Sequence, residues 1–387
     1  MKAQKWFSVI LSIVVVFSLL LPMAVAEEET IKIGGLAPLT GPYAVYGEAV
    51  KNGADLYVSL LNQNGGIDGK MVEILWEDHA ANDAQAQNIY FQYVDEDEVV
   101  AILGDVLTGQ CRIIAGCAYE DGVPMVTASG TAFDINTGKP NVFRTCFIDD
   151  FQGIVMANFA QQQGYENVAI LYGVDSPYSM GLYNAFTAQA AEIGVNIVAE
   201  EAASFTDIDF KAQLTNIKSA DPDAVFLPWY GAEAALILTQ AAELGLDVVY
   251  MGADGIADIV DKIANKELLT KMTYADHFAF DSDDAAVQQF IADFTEMHGV
   301  APTVSFSATG YDAALVICQA IDNADIEDYS DTEAVHEAIV EQIKGISAEG
   351  VSGVISFDEN NNPIKSAFVM TFDAEGGKHF VAKVDPQ

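Results

Sequence analysis

The sequence predicts a doubly wound α/β protein with two units. From Ile31 onward, predicted strands and helices alternate, and many of the strands are continuous apolar runs such as VAILY and AVFLP. Such runs are typical of parallel strands that are buried on both faces. The length of 387 residues and the apolar content of 51% are sufficient for two cores.

The first unit opens with a strand, a turn, a helix and a second strand. The strand begins at Ile31, and a turn rich in glycine and proline follows at residues 38–42. Apolar residues then recur at helical spacing until residues 64–66 end the helix. A second strand of alternating pattern ends at Asp78. Because ligands of open α/β sheets bind beyond the carboxyl ends of strands, the turn is a candidate part of a binding site.

The later elements continue this alternation. Further strands are predicted at residues 99–103, 124–127, 168–172, 195–200, 224–227 and 248–251. Helical spacing predicts helices at residues 178–193, 232–244, 305–321 and 333–343. A break at residues 143–150 separates the two units, and the pattern becomes helix-rich after His277. The tail at residues 351–372 is expected to form two strands around a turn at 358–363.

Residues 1–26 have the features of a secretory signal peptide. Two lysines supply a positive start, residues 6–21 supply an apolar stretch, and Ala24 and Ala26 form a small-x-small cleavage site. An N-terminal membrane anchor is the alternative. We expect an exported mature chain without a membrane span, because no later stretch reaches the roughly 18 apolar residues that a span requires.

The formal net charge of −40 argues against nucleic acid and anionic lipid as partners. A cation-binding role would explain the charge, but the acidic residues are scattered singly, which favours a solubilising surface. The five histidines are dispersed without zinc-type spacing. Neither a metal nor a cofactor is therefore expected.

The four cysteines show no C-x-x-C spacing of a metal site. Cys111 and Cys117 lie six residues apart on a predicted helix, and this spacing places them on different faces. Cys117 and Cys146 could form a disulfide in an exported protein. Buried free thiols, including that of Cys318, are the alternative.

The opening segment resembles the type I periplasmic binding proteins, and more narrowly the branch that binds leucine, isoleucine and valine for ABC importers. The resemblance rests on PLTGP followed by YG, a helix, GGI-G and a strand with an acidic end. It implies two doubly wound Rossmann-like lobes, joined by a three-stranded hinge, with a ligand cleft between them. Residues 27–148 plus 277–353 would form lobe 1, and residues 149–276 plus 354–387 would form lobe 2.

The resemblance also implies a function. We expect a periplasmic solute-binding protein, not an enzyme, that closes around a neutral or branched-chain amino acid and delivers it to an ABC transporter permease. The same fold could instead bind an amide, a urea-like compound or an aromatic acid. An enzyme on a Rossmann-like fold is the weaker alternative, because the dinucleotide fingerprint, the phosphate loop and the G-x-S-x-G elbow are absent from the sequence.

One half of the expected site would hold the ligand carboxylate. A helix N-terminus offers N–H donors and a favourable dipole, and Thr108 opens the helix after strand 99–103. A plain helix cap uses the same geometry, so the residues alone leave both interpretations open. Through the resemblance, Thr108 would bind the carboxylate, Ser129 would offer a backbone group and Thr131 a hydroxyl. Gly130 allows close approach of the backbone.

The other half would hold the ligand ammonium and side chain. Asp254 follows strand 248–251, and amino-acid-binding members of the family use an acid here to pair with the ammonium. Capping of the next helix is the alternative role of Asp254. Aromatic residues at family positions are expected to enclose the ligand, and these are Tyr46, Tyr178, Tyr230 and Phe306.

Overall fold

The computed structural model describes residues 30–385. A first sheet consists of five parallel strands, which are β1 (Ile31–Ala37), β2 (Val72–Asp78), β3 (Ala101–Leu103), β4 (Met125–Thr127) and β5 (Val142–Arg144). Their spatial order is β2-β1-β3-β4-β5. Every residue of β3, β4 and β5 is buried, as expected of apolar strands that are covered on both faces.

A second sheet repeats this order and extends it. Its parallel strands are β6 (Asn167–Gly173), β7 (Asn196–Ala203), β8 (Ala224–Phe226), β9 (Val249–Gly252) and β10 (Met272–Asp276). They lie in the order β7-β6-β8-β9-β10. A separate small antiparallel sheet pairs β11 (Ala348–Gly350) with β12 (Gly353–Ile355). Two antiparallel strands, β13 (Ala367–Phe372) and β14 (Lys378–Val384), then continue the second sheet beyond β10.

Helices fill most connections and the segment after β10. They are α1 (Ala44–Gln63), α2 (Asp83–Gln92), α3 (Thr108–Asp121), α4 (Asp149–Gln163), α5 (Pro177–Ile193), α6 (Lys211–Ser219), α7 (Gly231–Glu243), α8 (Ala285–His298), α9 (Phe306–Asn323) and α10 (Thr332–Lys344). Helix α5 shows why such segments are helical. Ser176 accepts a hydrogen bond from Ser179 N at the N-cap, Pro177 occupies the first position, and Gly194 ends the helix in the left-handed conformation.

Glycine allows two helix pairs to pack with very close backbones. Helix α1 lies against α9, and a Cβ atom at Gly53 would lie 1.8 Å from the carbonyl oxygen of Ser307. Helix α4 lies against α5, and a Cβ atom at Gly153 would lie 2.6 Å from the Ala185 Cβ. A larger side chain at either glycine would force the helices apart.

Each sheet also contacts segments from later in the chain. Helix α9 contacts α1, β3 and β4 on the first sheet, whereas β13 pairs with β10 on the second sheet. Lys365 precedes β13 and is buried. Its Nζ donates to the Thr145 carbonyl oxygen at 3.2 Å and contacts the Ser352 hydroxyl. One buried ammonium therefore ties together three segments of the chain.

The predicted α/β fold class is confirmed, and the structure agrees closely with most of the predicted elements. The six strands predicted after Asp78 and the four predicted helices all occur within three residues of their expected ends. The tail differs from the expectation. The two strands expected around the turn occur as β12 and β13, but they belong to different sheets, and the turn between them carries the bridge between Phe357 and Pro363. Strand β14 was not expected, because it is a half-exposed edge strand with a weak apolar pattern.

The predicted signal peptide at residues 1–26 lies outside the described residues. Within residues 30–385, we find no helix with the length and apolar character needed to cross a membrane. All four cysteines are free, so a disulfide between Cys117 and Cys146 is wrong. Cys111, Cys146 and Cys318 are buried, whereas Cys117 is half-buried.

Candidate functional site

The N-terminus of α3 carries the first predicted site residue. Thr108 is the first residue of the helix, and Leu107 occupies the N-cap position. Within the described chain no side chain caps this end, so its first N–H groups lack helical partners. Thr108 is buried, and its hydroxyl oxygen lies 3.5 Å from that of Thr131. The plain-cap interpretation of Thr108 is wrong, because the cap position belongs to Leu107.

The loop after β4 lies beside this helix end. The Ser129 hydroxyl donates to the Val106 carbonyl oxygen at 2.8 Å and the Ser129 N–H donates to Thr127 Oγ1 at 3.4 Å, so only the backbone carbonyl of Ser129 is available to a ligand in the described structure. The Gly130 carbonyl oxygen accepts a hydrogen bond from Arg144 Nη1 at 2.9 Å. A Cβ atom at Gly130 would lie 2.5 Å from Cys111 Sγ, so the close packing of this loop requires glycine.

Asp254 follows β9 directly and is buried. Its Oδ1 accepts a hydrogen bond from the Tyr178 hydroxyl at 2.9 Å, and its Oδ2 lies 2.8 Å from His277 Nε2. The backbone N–H of Asp254 donates to Gln152 Oε1 at 3.0 Å. The N-cap of the short 3₁₀ turn here is Ala253, and the Asp254 carboxylate does not cap that turn in the described structure. The capping interpretation of Asp254 is therefore wrong.

The four predicted aromatic residues form one continuous cluster of rings. Tyr178 stacks on Tyr230 with ring centroids 5.0 Å apart. Tyr46 lies 5.7 Å from Tyr230 and 5.6 Å from Phe306. Burial, and after it the negative charge of Asp254, raises the pKa of Tyr178 well above its usual value. The Tyr178 hydroxyl therefore stays protonated and donates to Asp254.

Tyr46 connects α1, which packs near the first sheet, to loops of the second sheet. Its hydroxyl oxygen lies 2.6 Å from both the Gly255 carbonyl oxygen and Asp258 Oδ1, and Gly231 N donates to it at 3.2 Å. Burial raises the pKa of Asp258. A Cβ atom at Gly255 would lie 2.6 Å from the Tyr178 hydroxyl, so the close packing around the Tyr46 and Tyr178 hydroxyls also requires glycine.

Four buried polar residues of this cluster were not anticipated from the sequence, and they are Asp149, Gln152, Asp258 and His277. Asp149 N donates to the Thr131 carbonyl oxygen at 2.9 Å, which links the first turn of α4 to the loop after β4. In the sequence, this turn was interpreted only as the break between units. The pair of acids at the start of a helix after a buried strand was the available signal.

Hydrogen bonds and ring contacts thus link seven of the nine predicted residues, and Ser129 and Gly130 lie in the same loop as Thr131. The Thr108 hydroxyl contacts that of Thr131, and the Thr131 carbonyl accepts a hydrogen bond from the first turn of α4. Helix α4 in turn accepts a hydrogen bond from Asp254 N through Gln152. Asp254 then meets the tyrosine cluster through Tyr178. Buried polar groups at the strand ends of two α/β sheets define a ligand-binding protein of the α/β class.

Comparison with known proteins identifies the family. The sequence profile of the family described as periplasmic binding protein matches residues 30–378. The chain therefore belongs to the periplasmic binding protein family, as the resemblance of its opening segment predicted. A Leu/Ile/Val-binding protein from Rhizobium johnstonii is 29% identical over 363 residues, which are 94% of this chain and 95% of that relative.

Two solved structures share the fold over nearly their whole length. A leucine-binding protein from Thermotoga maritima is 31% identical with a TM-score of 0.84, and the match covers 92% of this chain and 99% of that chain. A branched-chain amino acid transporter substrate-binding protein from Streptococcus pneumoniae, in complex with isoleucine, is 28% identical with a TM-score of 0.83. That match covers 91% of this chain and 99% of the other.

Proposed function

We propose that the protein captures a neutral, branched-chain amino acid outside the cytoplasm and delivers it to the permease of an ABC importer. One observation carries the proposal. Two buried hydroxyls at the uncapped N-terminus of α3 lie in one contact network with a buried acid, Asp254, and a cluster of tyrosines. Relatives that are described as leucine-, isoleucine- and valine-binding proteins support this ligand class.

The α3 end suits the carboxylate of the amino acid. Its free N–H groups and the helix dipole favour a negative charge, and the hydroxyls of Thr108 and Thr131 add two donors. Their mutual distance of 3.5 Å is longer than a strong O–H···O hydrogen bond. The Thr108 hydroxyl therefore gains from an additional acceptor supplied by a ligand, whereas the Thr131 hydroxyl also lies near Asp149.

Asp254 supplies negative charge for the ammonium at the other end. A carboxylate has about four lone-pair sites, so its bonds to Tyr178 and His277 leave capacity for a further donor. A buried zwitterion is stable only when both of its charges meet matched partners. The rings of Tyr46, Tyr230 and Phe306 would cover the apolar side chain of the ligand.

The two sheets would act as the cores of two lobes with the boundaries predicted above. The contacts of α9 with the first sheet and of β13 with the second support this division. Opening would separate Tyr46 from Gly255 and Asp258, because these hydrogen bonds connect the two halves. Delivery to a permease and a periplasmic location follow from the family and from the predicted signal peptide.

Calorimetric titration of the purified mature chain with a panel of amino acids tests the proposal. We expect saturable, one-site binding of leucine, isoleucine or valine, and weak or no binding of charged amino acids. Native mass spectrometry of the untreated protein should show a copurified ligand of matching mass, which is recovered chemically unchanged. Absence of binding to every amino acid in the panel would contradict the proposal.

The panel should include the alternative ligands: an amide, a urea-like compound and an aromatic acid such as benzoate. If any of these compounds binds more tightly than the amino acids, that compound class is the ligand. The proposed role in solute binding would then remain. An acid without an ammonium group would leave the buried Asp254 carboxylate without a cationic partner. We therefore expect such acids to bind weakly.

A further inference from the structure

We infer that Asp149, on the first turn of α4, holds the ammonium group of the ligand and restricts the ligand class to compounds that carry one. The inference rests on the proposed function, because it assigns a further binding residue to the same site. Asp254 would then be the second of two carboxylates around the ammonium, and no longer the lone acid that the sequence suggested.

The Asp149 carboxylate is buried, and its oxygens lack hydrogen-bond partners. The residue is only 1% exposed, and neither carboxylate oxygen has a hydrogen-bond partner within standard distance and angle limits among residues 30–385. The nearby Thr131 hydroxyl favours the charged form of the Asp149 carboxyl group and lowers its pKa. A buried carboxylate that lacks partners is costly, so these oxygens require a cation or a donor from outside the chain.

The carboxylate of Asp149 faces the predicted site. Its charge acts on Asp254 and on the hydroxyls of Tyr178 and Tyr230, so all four groups lie within one region. On the α5 side, a Cβ atom at Gly181 would lie 2.9 Å from Asp149 Oδ2. The carboxylate therefore packs closely against the α5 backbone, and glycine at position 181 permits this approach.

The other acid of the site already has partners. Asp254 uses one oxygen for the Tyr178 hydroxyl and the other for His277 Nε2. Neither Asp149 oxygen has such a hydrogen-bond partner among residues 30–385, and Arg144 acts on it only through its charge, so Asp149 has the larger unmet capacity for a ligand cation.

Gln152 adds a second unsatisfied polar side chain to the first turn of α4. It lies three residues after Asp149 on the same helix, and residues at this spacing share a helix face. Its Oε1 accepts the Asp254 N–H, whereas its buried Nε2 has no partner in the described part of the chain. The first turn of α4 thus presents unsatisfied acceptors and an unsatisfied donor, as a site for a zwitterion would.

A helix N-terminal acid could instead serve only the helix dipole. Three charged groups act on Asp149 from the surrounding elements: Asp254 after β9, Arg144 at the end of β5 and Asp150 on the same turn. Burial, and after it the charge of Asp254, raises the pKa of Asp149 well above its usual value. The dipole of α4 is therefore insufficient to keep the Asp149 carboxyl group charged. A ligand ammonium beside it would stabilise the charged form.

The test compares L-leucine with 4-methylpentanoate, which has the same skeleton without the ammonium group. Affinities for both compounds are measured by calorimetry with the wild-type mature chain, Asp149→Asn and the neighbouring, half-buried control Asp150→Asn. We expect the wild type and Asp150→Asn to prefer leucine by about 100-fold or more, since loss of one partner of a buried ion pair is strongly unfavourable. In Asp149→Asn this preference should fall below about tenfold, mainly through weaker leucine binding.

Several outcomes would overturn the inference. One is an Asp149→Asn variant that folds, by thermal unfolding, and retains the leucine affinity within twofold. If that variant does not fold, a crystal structure of the wild type with leucine decides, and an ammonium nitrogen out of hydrogen-bonding reach of Asp149 contradicts the inference. A wild type that binds no amino acid of the panel contradicts the proposed function instead, so the two failures are distinguishable.

Discussion

The two sheets have the same parallel strand order but present different ligand-binding side chains at their carboxyl ends. In the first sheet, the segments after β3 and β4 carry hydroxyls and a free helix end, at Thr108 and Thr131. In the second sheet, the segments after β6, β8 and β9 carry Tyr178, Tyr230 and Asp254. The same topology thus presents hydrogen-bond donors after strands of the first sheet, and aromatic rings with the Asp254 carboxylate after strands of the second. This is possible because the connecting segments can differ in sequence while the strands form the same kind of core.

The sheets also differ in how their helices approach each other. A Cβ atom at Gly53 would lie 1.8 Å from a backbone carbonyl oxygen of α9, whereas one at Gly153 would lie 2.6 Å from the Ala185 methyl group and 2.8 Å from the Phe186 nitrogen of α5. A backbone atom cannot yield without moving its helix, and α1 also carries Tyr46 of the site. The following predictions test whether the two halves are as distinct in packing, chemistry and titration as the structure indicates.

Gly53→Ala should have the largest effect on stability. A Cβ atom only 1.8 Å from Ser307 O forces α1 and α9 apart, and we expect a loss of about 3 kcal/mol in the free energy of unfolding. Gly153→Ala should cost less, about 2 kcal/mol, because its nearest neighbour is the Ala185 methyl group. Urea-induced unfolding measures both values.

Gly116→Ala in α3 is the matched control, because a Cβ atom there would meet nothing within 4 Å. Alanine should raise stability by about 0.5–1 kcal/mol through its better helix propensity. Equal losses for Gly53→Ala and Gly116→Ala would show that the close approach of the helices at Gly53 does not cause the loss.

Asp254→Ala should weaken amino acid binding by about 100-fold, because it removes one of the buried negative charges near the ligand ammonium. Asp261→Ala is the control, since Asp261 is an exposed acid of the same segment and should leave the affinity unchanged. Calorimetric titration gives both values. Unchanged affinity in Asp254→Ala would exclude the second sheet as the source of the acidic partner.

Thr108→Val should weaken binding by about tenfold, because a hydrogen bond to a charged group contributes roughly 1.5–3 kcal/mol. Thr108→Ser retains the hydroxyl and should restore most of the affinity. The same titration distinguishes the two variants. Equal affinities of the valine and serine variants would mean that the first sheet contributes backbone donors alone.

The smallest predicted effect concerns pH. Burial raises the pKa of Glu233 on α7 to about 7, and its carboxyl group lies beside Tyr43, which directly precedes α1. Between pH 4.5 and 7 the unfolded chain releases a proton that the folded chain retains, so stability falls as the pH rises through this window. Glu233→Gln should remove the part of this fall that Glu233 contributes and add about 1 kcal/mol of stability at pH 7.5.

Thermal unfolding followed from pH 4.5 to 8 measures the Glu233 effect. Glu192→Gln removes an exposed acid and should leave the profile unchanged. A Glu233→Gln profile that overlays the wild type would show that this contact between α7 and the start of α1 does not titrate as its burial indicates.

Much of the candidate site could be predicted from the sequence, because strand ends can be located from apolar runs. Thr108 and Asp254 follow such runs directly, and the family resemblance suggested their roles. The hydroxyl of Ser129 shows the limit of this reasoning. Its bond to Val106 O depends on the packing of two loops, and no local pattern reveals it. The same holds for His277, which reaches Asp254 only because β9 and β10 are neighbours in the sheet.

The sequence by itself determined the alternation of strands and helices, since hydrophobic periodicity and helix-ending glycines act locally. The tertiary structure alone decided which polar groups are buried together and which of them remain unsatisfied. Asp149 and Asp150 are adjacent and chemically identical in the sequence, yet only Asp149 is fully buried beside Asp254. Burial and partnership depend on contacts between distant segments, and these contacts set the electrostatic energy of each carboxylate.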